Sequence, residues 1–190
     1  MALRLGKNHF ELQKTKKTKK TRRSDFMLSV RLLDEFNEQI KLELYSANIY
    51  LAMAGYLFDQ NLDGFAKFFM VQAEEERQHA LKFFNFINDK DGRIEIRAMD
   101  KPQNEYESVQ AVFKTAHEHE QFVTRRIHLL MDIAVEEKNY SAMTFLQWFI
   151  EEQVEEEATM NSIVKKLEMI KDNISALLNL DNQLGNRTLE

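Results

Sequence analysis

The chain of 190 residues contains no cysteine, one proline and only five glycines. Without cysteine there is no disulfide framework, zinc ribbon, iron–sulfur cluster or thiol catalysis. A β-sandwich or barrel needs many turns, and this chain lacks the residues that make them. Between Arg93 and Leu184 there is no glycine, and only Pro102 breaks the stretch. No apolar run approaches the roughly 18 residues of a membrane span. We therefore expect long helices, an all-α fold and no membrane partner.

Charge divides the chain into two parts. Residues 1–26 carry nine Lys/Arg and two acidic side chains, a balance of +7. The whole chain carries −5, so residues 27–190 carry −12. The run KTKKTKKTRR at 14–23 is of low complexity and repels itself. We predict a disordered basic extension over 1–26 and one folded domain over 27–190.

Four long segments repeat apolar residues at alternating spacings of three and four, which is typical of the buried seam of a helical bundle. The seams run from Leu33 to Leu57, from Leu62 to Phe86, from Val109 to Ala134 and from Ala142 to Ile170. The spacing predicts four helices of about 28 residues, each roughly 40 Å long.

The lengths of the links predict how these helices are arranged. Links 58–63 and 138–141 are short and favour antiparallel hairpins, whereas 91–105 is long enough to cross the whole bundle. Within it, residues 93–96 alternate polar and apolar, as an extended segment does. We predict a four-helix up-down-down-up bundle with one long crossover. An apolar patch from Ile174 to Leu180 predicts a short fifth, C-terminal helix.

The seams contain polar residues where apolar ones are expected, at about the middle of each helix. Four buried carboxylates would each cost several kcal/mol without compensation, and a domain has only about 5–15 kcal/mol of stability. Two divalent cations would balance the four charges, and oxygen and imidazole ligands without sulfur favour iron or manganese, with zinc as an alternative. A lone seam glutamate is more often a snorkelling or interface residue, but six polar residues at one level favour a metal site. They are Glu43, Glu76, His79, Glu120, Gln153 and Glu156.

Three motifs resemble those of ferritins, most closely the non-haem bacterial branch. They are FNEQIKLELYS at 36–46, EERQH at 75–79, and FLQWF at 145–149 followed by EQVEE at 152–156. Glu76 and His79 form the Glu-x-x-His unit of ferritin-like dimetal bundles. The resemblance extends from about Met27 to Leu180.

The resemblance implies a role for each residue of the site. Glu43, Glu76 and His79 would bind one iron, and Glu76, Glu120 and Glu156 a second, so that Glu76 bridges the two. Gln153 would line the site and Tyr50 would be a redox-active tyrosine beside it. A third iron site would combine Glu156 with three residues just off the seams, for which a solvated acidic face is the alternative. These three are Glu75, Glu152 and Glu155.

The resemblance also implies an activity and an assembly. The chain would be a cytoplasmic iron-storage ferritin and a ferroxidase, an oxidoreductase that takes Fe²⁺ and dioxygen as substrates. It would deposit Fe³⁺ as a mineral within a homo-oligomeric shell of 24 subunits. A bacterioferritin haem would need methionine where this chain has Arg77, so we predict no haem. His117 lies three residues before Glu120 and is either an accessory ligand or a histidine without a metal.

Two other functions fit part of the sequence. A DNA-protecting mini-ferritin would use the basic extension to bind nucleic acid phosphates, although that family builds its metal site between subunits. A peroxide-reducing or radical-generating di-iron enzyme would need an electron-donor site such as a cysteine cluster, and the chain has no cysteine.

Overall fold

The computed structural model describes residues 27–189, which form five helices and no strand. The predicted basic extension lies outside the described residues. The helices are α1 (Val30–Asp59), α2 (Asp63–Asp89), α3 (Val109–Glu136), α4 (Tyr140–Ile170) and α5 (Ile174–Leu184). The all-α fold class, the long crossover and the short fifth helix are confirmed. No helix in this part of the chain is long and apolar enough to span a membrane.

Side-chain caps explain where most helices begin. Ser29 accepts a hydrogen bond from the backbone N–H of Leu32, and Ser108, Asn139 and Asn173 do the same for α3, α4 and α5. Such a cap satisfies a backbone donor that has no partner within the first turn. The short links 60–62 and 137–139 follow α1 and α3 directly, as the antiparallel hairpins require.

Two apolar cores occupy opposite ends of the bundle. One contains the start of α1, the end of α2, the end of α3 and the start of α4. The other contains the opposite halves of the same four helices together with Leu180 of α5. This grouping confirms the up-down-down-up order. The middle of each helix, between the two cores, is where the polar seam residues lie.

The seams drift by one position at their outer ends. Leu33 and Phe86 are half-buried, whereas Leu32 and Ile87 are fully buried. A straight helix has 3.6 residues per turn, so a strict 3-4 pattern moves gradually away from the core-facing line. The buried stripe of α1 therefore begins at Leu32.

The crossover is fixed by a buried asparagine that the periodicity did not identify. Asn37 is 2% exposed; its side chain donates to the carbonyl of Arg93 (3.0 Å) and accepts from the N–H of Glu95 (2.7 Å). Residues 92–106 form no regular secondary structure, so the predicted extended segment is not a strand. Ile94 packs on the bundle, but Ile96 is 65% exposed. The backbone therefore departs from simple alternation after the Asn37 anchor.

Helix α5 packs on α2 through an unusual cap. The residue before α2 is Leu62, which provides no side-chain cap. Instead, the buried Asp181 of α5 accepts a hydrogen bond from the N–H of Phe65 (2.8 Å). Gly64 permits this approach, because a Cβ there would lie 1.9 Å from the carbonyl oxygen of Asp181.

We expect Gly64→Ala to lower the melting temperature by about 2–12 °C, since overpacking costs about 1–3 kcal/mol and each kcal/mol shifts Tm by roughly 2–4 °C in a domain of this size. Gly55→Ala is the matched control, because nothing lies within 4 Å of a Cβ at that helical position. Thermal unfolding followed by circular dichroism checks both variants. Equal effects of the two substitutions would contradict the close contact between α2 and α5.

Candidate metal centre

The polar residues of the four seams meet in one layer between the two apolar cores. Each is no more than 4% exposed. We call this set the central polar layer. It consists of Glu43 from α1, Glu76 and His79 from α2, Glu120 from α3, and Gln153 and Glu156 from α4.

Glu43, Glu76 and His79 form a compact group of three potential ligands. One ligand atom from each lies within 4.8 Å of the others. Glu76 and His79 are three apart on α2, and Glu76 Oε2 lies 3.7 Å from His79 Nδ1. Oε2 of Glu43 and Oε2 of Glu76 are buried and receive no hydrogen bond from the described residues. Buried polar atoms are rarely left without partners, so these two oxygens indicate a place for a cation.

The other side of the layer contains Glu120 and Glu156. The Tyr50 hydroxyl donates a hydrogen bond to Glu120 Oε1, and Gln153 Nε2 donates to Glu120 Oε2 (3.1 Å). Glu156 Oε2 accepts from Gln72 Nε2 (2.9 Å). Glu120 and Glu156 are therefore held in place by neutral donors, which orient the carboxylates without balancing their charge.

Burial and mutual repulsion raise the pKa values of these carboxyls. Burial, reinforced by the charge of Glu76, raises the pKa of Glu43 well above its usual range. Burial, reinforced by Glu120, does the same to the pKa of Glu76. Burial and the nearby Glu156 raise the pKa of Glu120 to about 8. Full ionisation of the layer is thus unfavourable in the metal-free protein, and bound cations would reverse this preference.

The structure identifies two further polar residues that orient the ligands. Gln39 is fully buried beside the α1 seam and donates to Glu43 Oε1 (2.9 Å). Gln72 lies in the α2 seam one turn before Glu76. A polar residue at a seam position can be recognised from the sequence, so Gln72 could have been identified. Gln39 lies off the seam, and nothing in the periodicity distinguishes it.

The three residues predicted for a third site line one surface pocket of about 650 Å³, next to His79 and Glu156. We call them the outer carboxylates: Glu75, Glu152 and Glu155. Glu155 is exposed and the other two are half-buried. Burial raises the pKa of Glu75 to about 7 against the opposing charge of Arg187, and burial also raises the pKa of Glu152. Glu152 Oε1 lies 3.8 Å from His79 Nε2.

The sequence left the role of His117 in α3 open and did not single out His119 of the same helix. His117 is half-buried and has no described contact with the central polar layer. His119 instead bonds to Ser46, with Oγ and Nε2 2.7 Å apart, and its ring lies edge-on to Tyr50. Burial lowers the pKa of His119 to about 4. Arg77, at the position relevant to haem, is exposed and donates to Glu74 (2.8 Å).

The fold and the site define a class of protein: a four-helix bundle with a buried cluster of carboxylates and one imidazole at mid-length. The family model of the ferritin-like domain matches residues 33–170. The chain belongs to the ferritin family.

Similarity to several ferritins agrees with this assignment. A bacterial non-heme ferritin of Staphylococcus aureus (strain MRSA252) is 42% identical over 164 residues, covering 86% of this chain and 99% of that protein. A probable bacterial non-heme ferritin-like protein of Haemophilus influenzae is 41% identical over 160 residues, covering 84% and 97%. The open-pore ferritin of the archaeon Archaeoglobus fulgidus has a similar structure, with TM-score 0.84, 42% identity and coverage of 85% and 99%.

The mini-ferritin alternative gains no support from these findings. The potential ligands of the central polar layer come from four helices of one chain, whereas mini-ferritins assemble theirs between subunits. The basic extension that motivated the alternative lies outside the described residues, so its binding to nucleic acid stays a prediction.

Proposed function

We propose that the chain is a cytoplasmic iron-storage ferritin that oxidises Fe²⁺ to Fe³⁺ with dioxygen at a dimetal site within each subunit. The ferric product is then stored as a mineral inside a shell of 24 subunits. The observation that carries this proposal is the central polar layer: four buried carboxylates and one histidine, with no lysine or arginine among them. Membership of the ferritin family supports the same function.

Each residue of the layer has a proposed part in binding the substrate iron. Glu43, Glu76 and His79 hold the first Fe²⁺, consistent with their close approach. Glu76, Glu120 and Glu156 hold the second, with Glu76 shared by both ions. Gln153 lines the site through its hydrogen bond to Glu120.

The carboxylates favour the oxidised product. They are hard, anionic ligands, so they stabilise Fe³⁺ more than Fe²⁺ and make the loss of an electron to dioxygen more favourable. Tyr50 has the proposed part of a redox-active side chain, and its hydrogen bond to Glu120 supports this. Burial and the charge of Glu120 raise the pKa of Tyr50 well above its usual value, so the phenol keeps its proton.

The acidic character of residues 27–190 suits the delivery of cations. A surface of one charge sign attracts ions of the opposite sign toward a site and raises their local concentration. The outer carboxylates would form a third, weaker iron site with Glu156 beside the dimetal pair, since all of them line the same pocket.

An anaerobic titration with Fe²⁺ followed by addition of oxygen tests the proposal. We expect two tightly bound Fe²⁺ ions per subunit, rapid oxidation of both on mixing with oxygen, and ferric mineral at higher iron loading. Size-exclusion chromatography of the same sample should show a 24-subunit particle. Fewer than two tight ions, or bound Fe²⁺ that is stable in oxygen, would overturn the proposed function.

Substitution of all three outer carboxylates by glutamine is expected to change the number of Fe²⁺ ions oxidised per dioxygen. The substitution keeps size and polarity but removes the charges that would draw iron away from the dimetal pair. Stopped-flow absorbance combined with an oxygen electrode measures the ratio. Iron-soaked crystals of the parent should show a third anomalous peak in the pocket. Only two peaks, together with an unchanged ratio in the variant, would mean that the third site does not exist.

A further inference from the structure

The segment after α5 carries an arginine into the pocket of the outer carboxylates. Helix α5 ends at Leu184, and Gly185 then passes close to α2, since a Cβ on it would lie 2.9 Å from the Cα of Gly64. The N–H of Arg187 donates to the carbonyl of Leu184 (3.1 Å). This turn directs the Arg187 side chain along α2 toward the metal centre.

The guanidinium group contacts one face of α2 over two turns. Its Nη2 donates to Glu75 Oε2 (2.7 Å), its Nη1 donates to Gln72 Oε1, and its Cζ lies over the ring of Phe68, 4.8 Å from the centroid. The Arg187 side chain is only 25% exposed and that of Glu75 only 12%. Such a planar fork, fixed at three points, is more specific than an exposed ion pair.

Gln72 links this arginine to the dimetal site. Its amide oxygen accepts from Arg187, so its amide nitrogen is free to donate to Glu156 Oε2, at 2.9 Å. Arg187 therefore contacts one outer carboxylate directly and orients a second potential ligand through the amide. Both carboxylates belong to the proposed third site.

We propose that Arg187 is a positioning residue that occupies Glu75 as an internal cation, so that a metal ion gains Glu75 as a ligand only by displacing the guanidinium group. This proposal rests on the proposed function, because it concerns the third site. Two cations that compete for one carboxylate repel each other, so the ion pair between Arg187 and Glu75 weakens the binding of a metal ion to Glu75. Arg187 thus keeps the third site weaker than its four carboxylates would make it.

Zinc binding measured by calorimetry tests this role without any redox step. In Arg187→Gln we expect the third Zn²⁺ to bind about 10-fold more tightly, within the typical 5- to 150-fold range of coupling between sites, while the first tight ion, held by Glu43, Glu76 and His79, is unaffected. Arg77→Gln is the matched control. It also removes one positive charge from a Glu–Arg pair beside the centre, but its partner is Glu74, which does not line the pocket. Arg77→Gln should leave all three affinities unchanged.

Two further comparisons show whether Arg187 acts as an internal cation or only helps to hold the fold together. Arg187→Lys keeps the positive charge. Its third Zn²⁺ should therefore bind more weakly than in Arg187→Gln, although not as weakly as in the parent. In a Glu75→Gln background, Arg187→Gln should change the affinity of the third Zn²⁺ far less, because the shared carboxylate charge is gone. Melting temperatures of all five variants show whether the C-terminal segment still packs on α2.

The outcomes distinguish this inference from the proposed function. If the parent binds fewer than two Zn²⁺ ions tightly, the proposed function fails. If it binds two tightly but the third-site affinity is unchanged or weaker in Arg187→Gln, the inference about Arg187 is wrong and the dimetal site stands. The inference is also wrong if Arg187→Gln changes the affinity of the third Zn²⁺ equally in the parent and in the Glu75→Gln background.

Discussion

Glu76→Ala is expected to slow rapid Fe²⁺ oxidation by more than about 100-fold, since loss of even an orienting partner of a ligand costs about 10- to 100-fold. Glu76 is the one residue proposed to contact both ions, and its Oε2 is one of two buried carboxylate oxygens that receive no hydrogen bond from the described residues. Its loss removes a ligand from each ion and the bridge between them. Stopped-flow absorbance of the ferric product after mixing with oxygen measures the rate.

Glu74→Ala is the control for this prediction. Glu74 lies on the same helix, but it faces Arg77 at the surface and its side chain is 38% exposed. It should oxidise iron at the parental rate. If Glu76→Ala also oxidised iron at the parental rate, the assignment of the metal centre would be wrong.

Glu76→Ala should leave the metal-free fold intact. Burial and neighbouring carboxylates raise the pKa of Glu76 well above its usual range. A negative charge on Glu76 is therefore unfavourable in the folded, metal-free protein. Glu76→Gln, which avoids the cavity left by alanine, should therefore raise the melting temperature of the metal-free protein. This gain makes it possible to distinguish loss of a ligand from loss of the fold.

Most of the fold follows from local rules that can be applied to the sequence. A seam that repeats every three or four residues specifies which face of a helix is buried, and the lengths of the links decide which helices are antiparallel. The details that escaped prediction depend on contacts between distant segments. Asn37 anchors residues 93 and 95, and Asp181 caps a helix that begins more than one hundred residues earlier. Neither contact leaves a periodic signal.

The candidate site divides in the same way. The potential ligands occupy core-facing seam positions, where a charged residue is conspicuous because burial makes it unfavourable. Tyr50 is also in a seam, but its place beside the site came from the resemblance to ferritins. The role of Arg187 could not be predicted, since its partner Glu75 lies on α2, far away in the sequence, and the turn at Gly185 that brings them together depends on packing against Gly64. The spacing of residues in the sequence does not indicate that Arg187 contacts Glu75.

The stability of the metal-free protein is expected to fall as the pH rises from about 5 to 8. The folded-state pKa of Glu120 is raised from 4.5 to about 8 by burial and by Glu156, and that of Glu75 is raised to about 7. A carboxyl with a raised pKa binds its proton more tightly in the folded state, so its favourable contribution is complete below the unfolded pKa. That contribution is lost as the pH passes the folded value.

Metal binding should reverse this dependence. The ligands must lose their protons to bind a cation, so affinity increases with pH. We expect the melting temperature of the metal-free protein to fall by more than about 5 °C between pH 5 and pH 8, since a few kcal/mol correspond to such a shift. Saturating Zn²⁺ should then raise the melting temperature more at pH 8 than at pH 5. Differential scanning calorimetry with and without a chelator measures both effects.

Glu120→Gln identifies the source of the effect. It keeps the shape of the side chain but cannot ionise, so the metal-free variant should lose much of the decline in melting temperature between pH 5 and pH 8. Glu118→Gln removes an exposed carboxylate from the same helix and should behave like the parent. Because Glu120 is also a proposed ligand of the second ion, Glu120→Gln should gain less from Zn²⁺ at pH 8 than either protein. A melting temperature that rises with pH in the metal-free parent, or the same slope in all three proteins, would show that buried carboxyls of the metal centre do not control its stability.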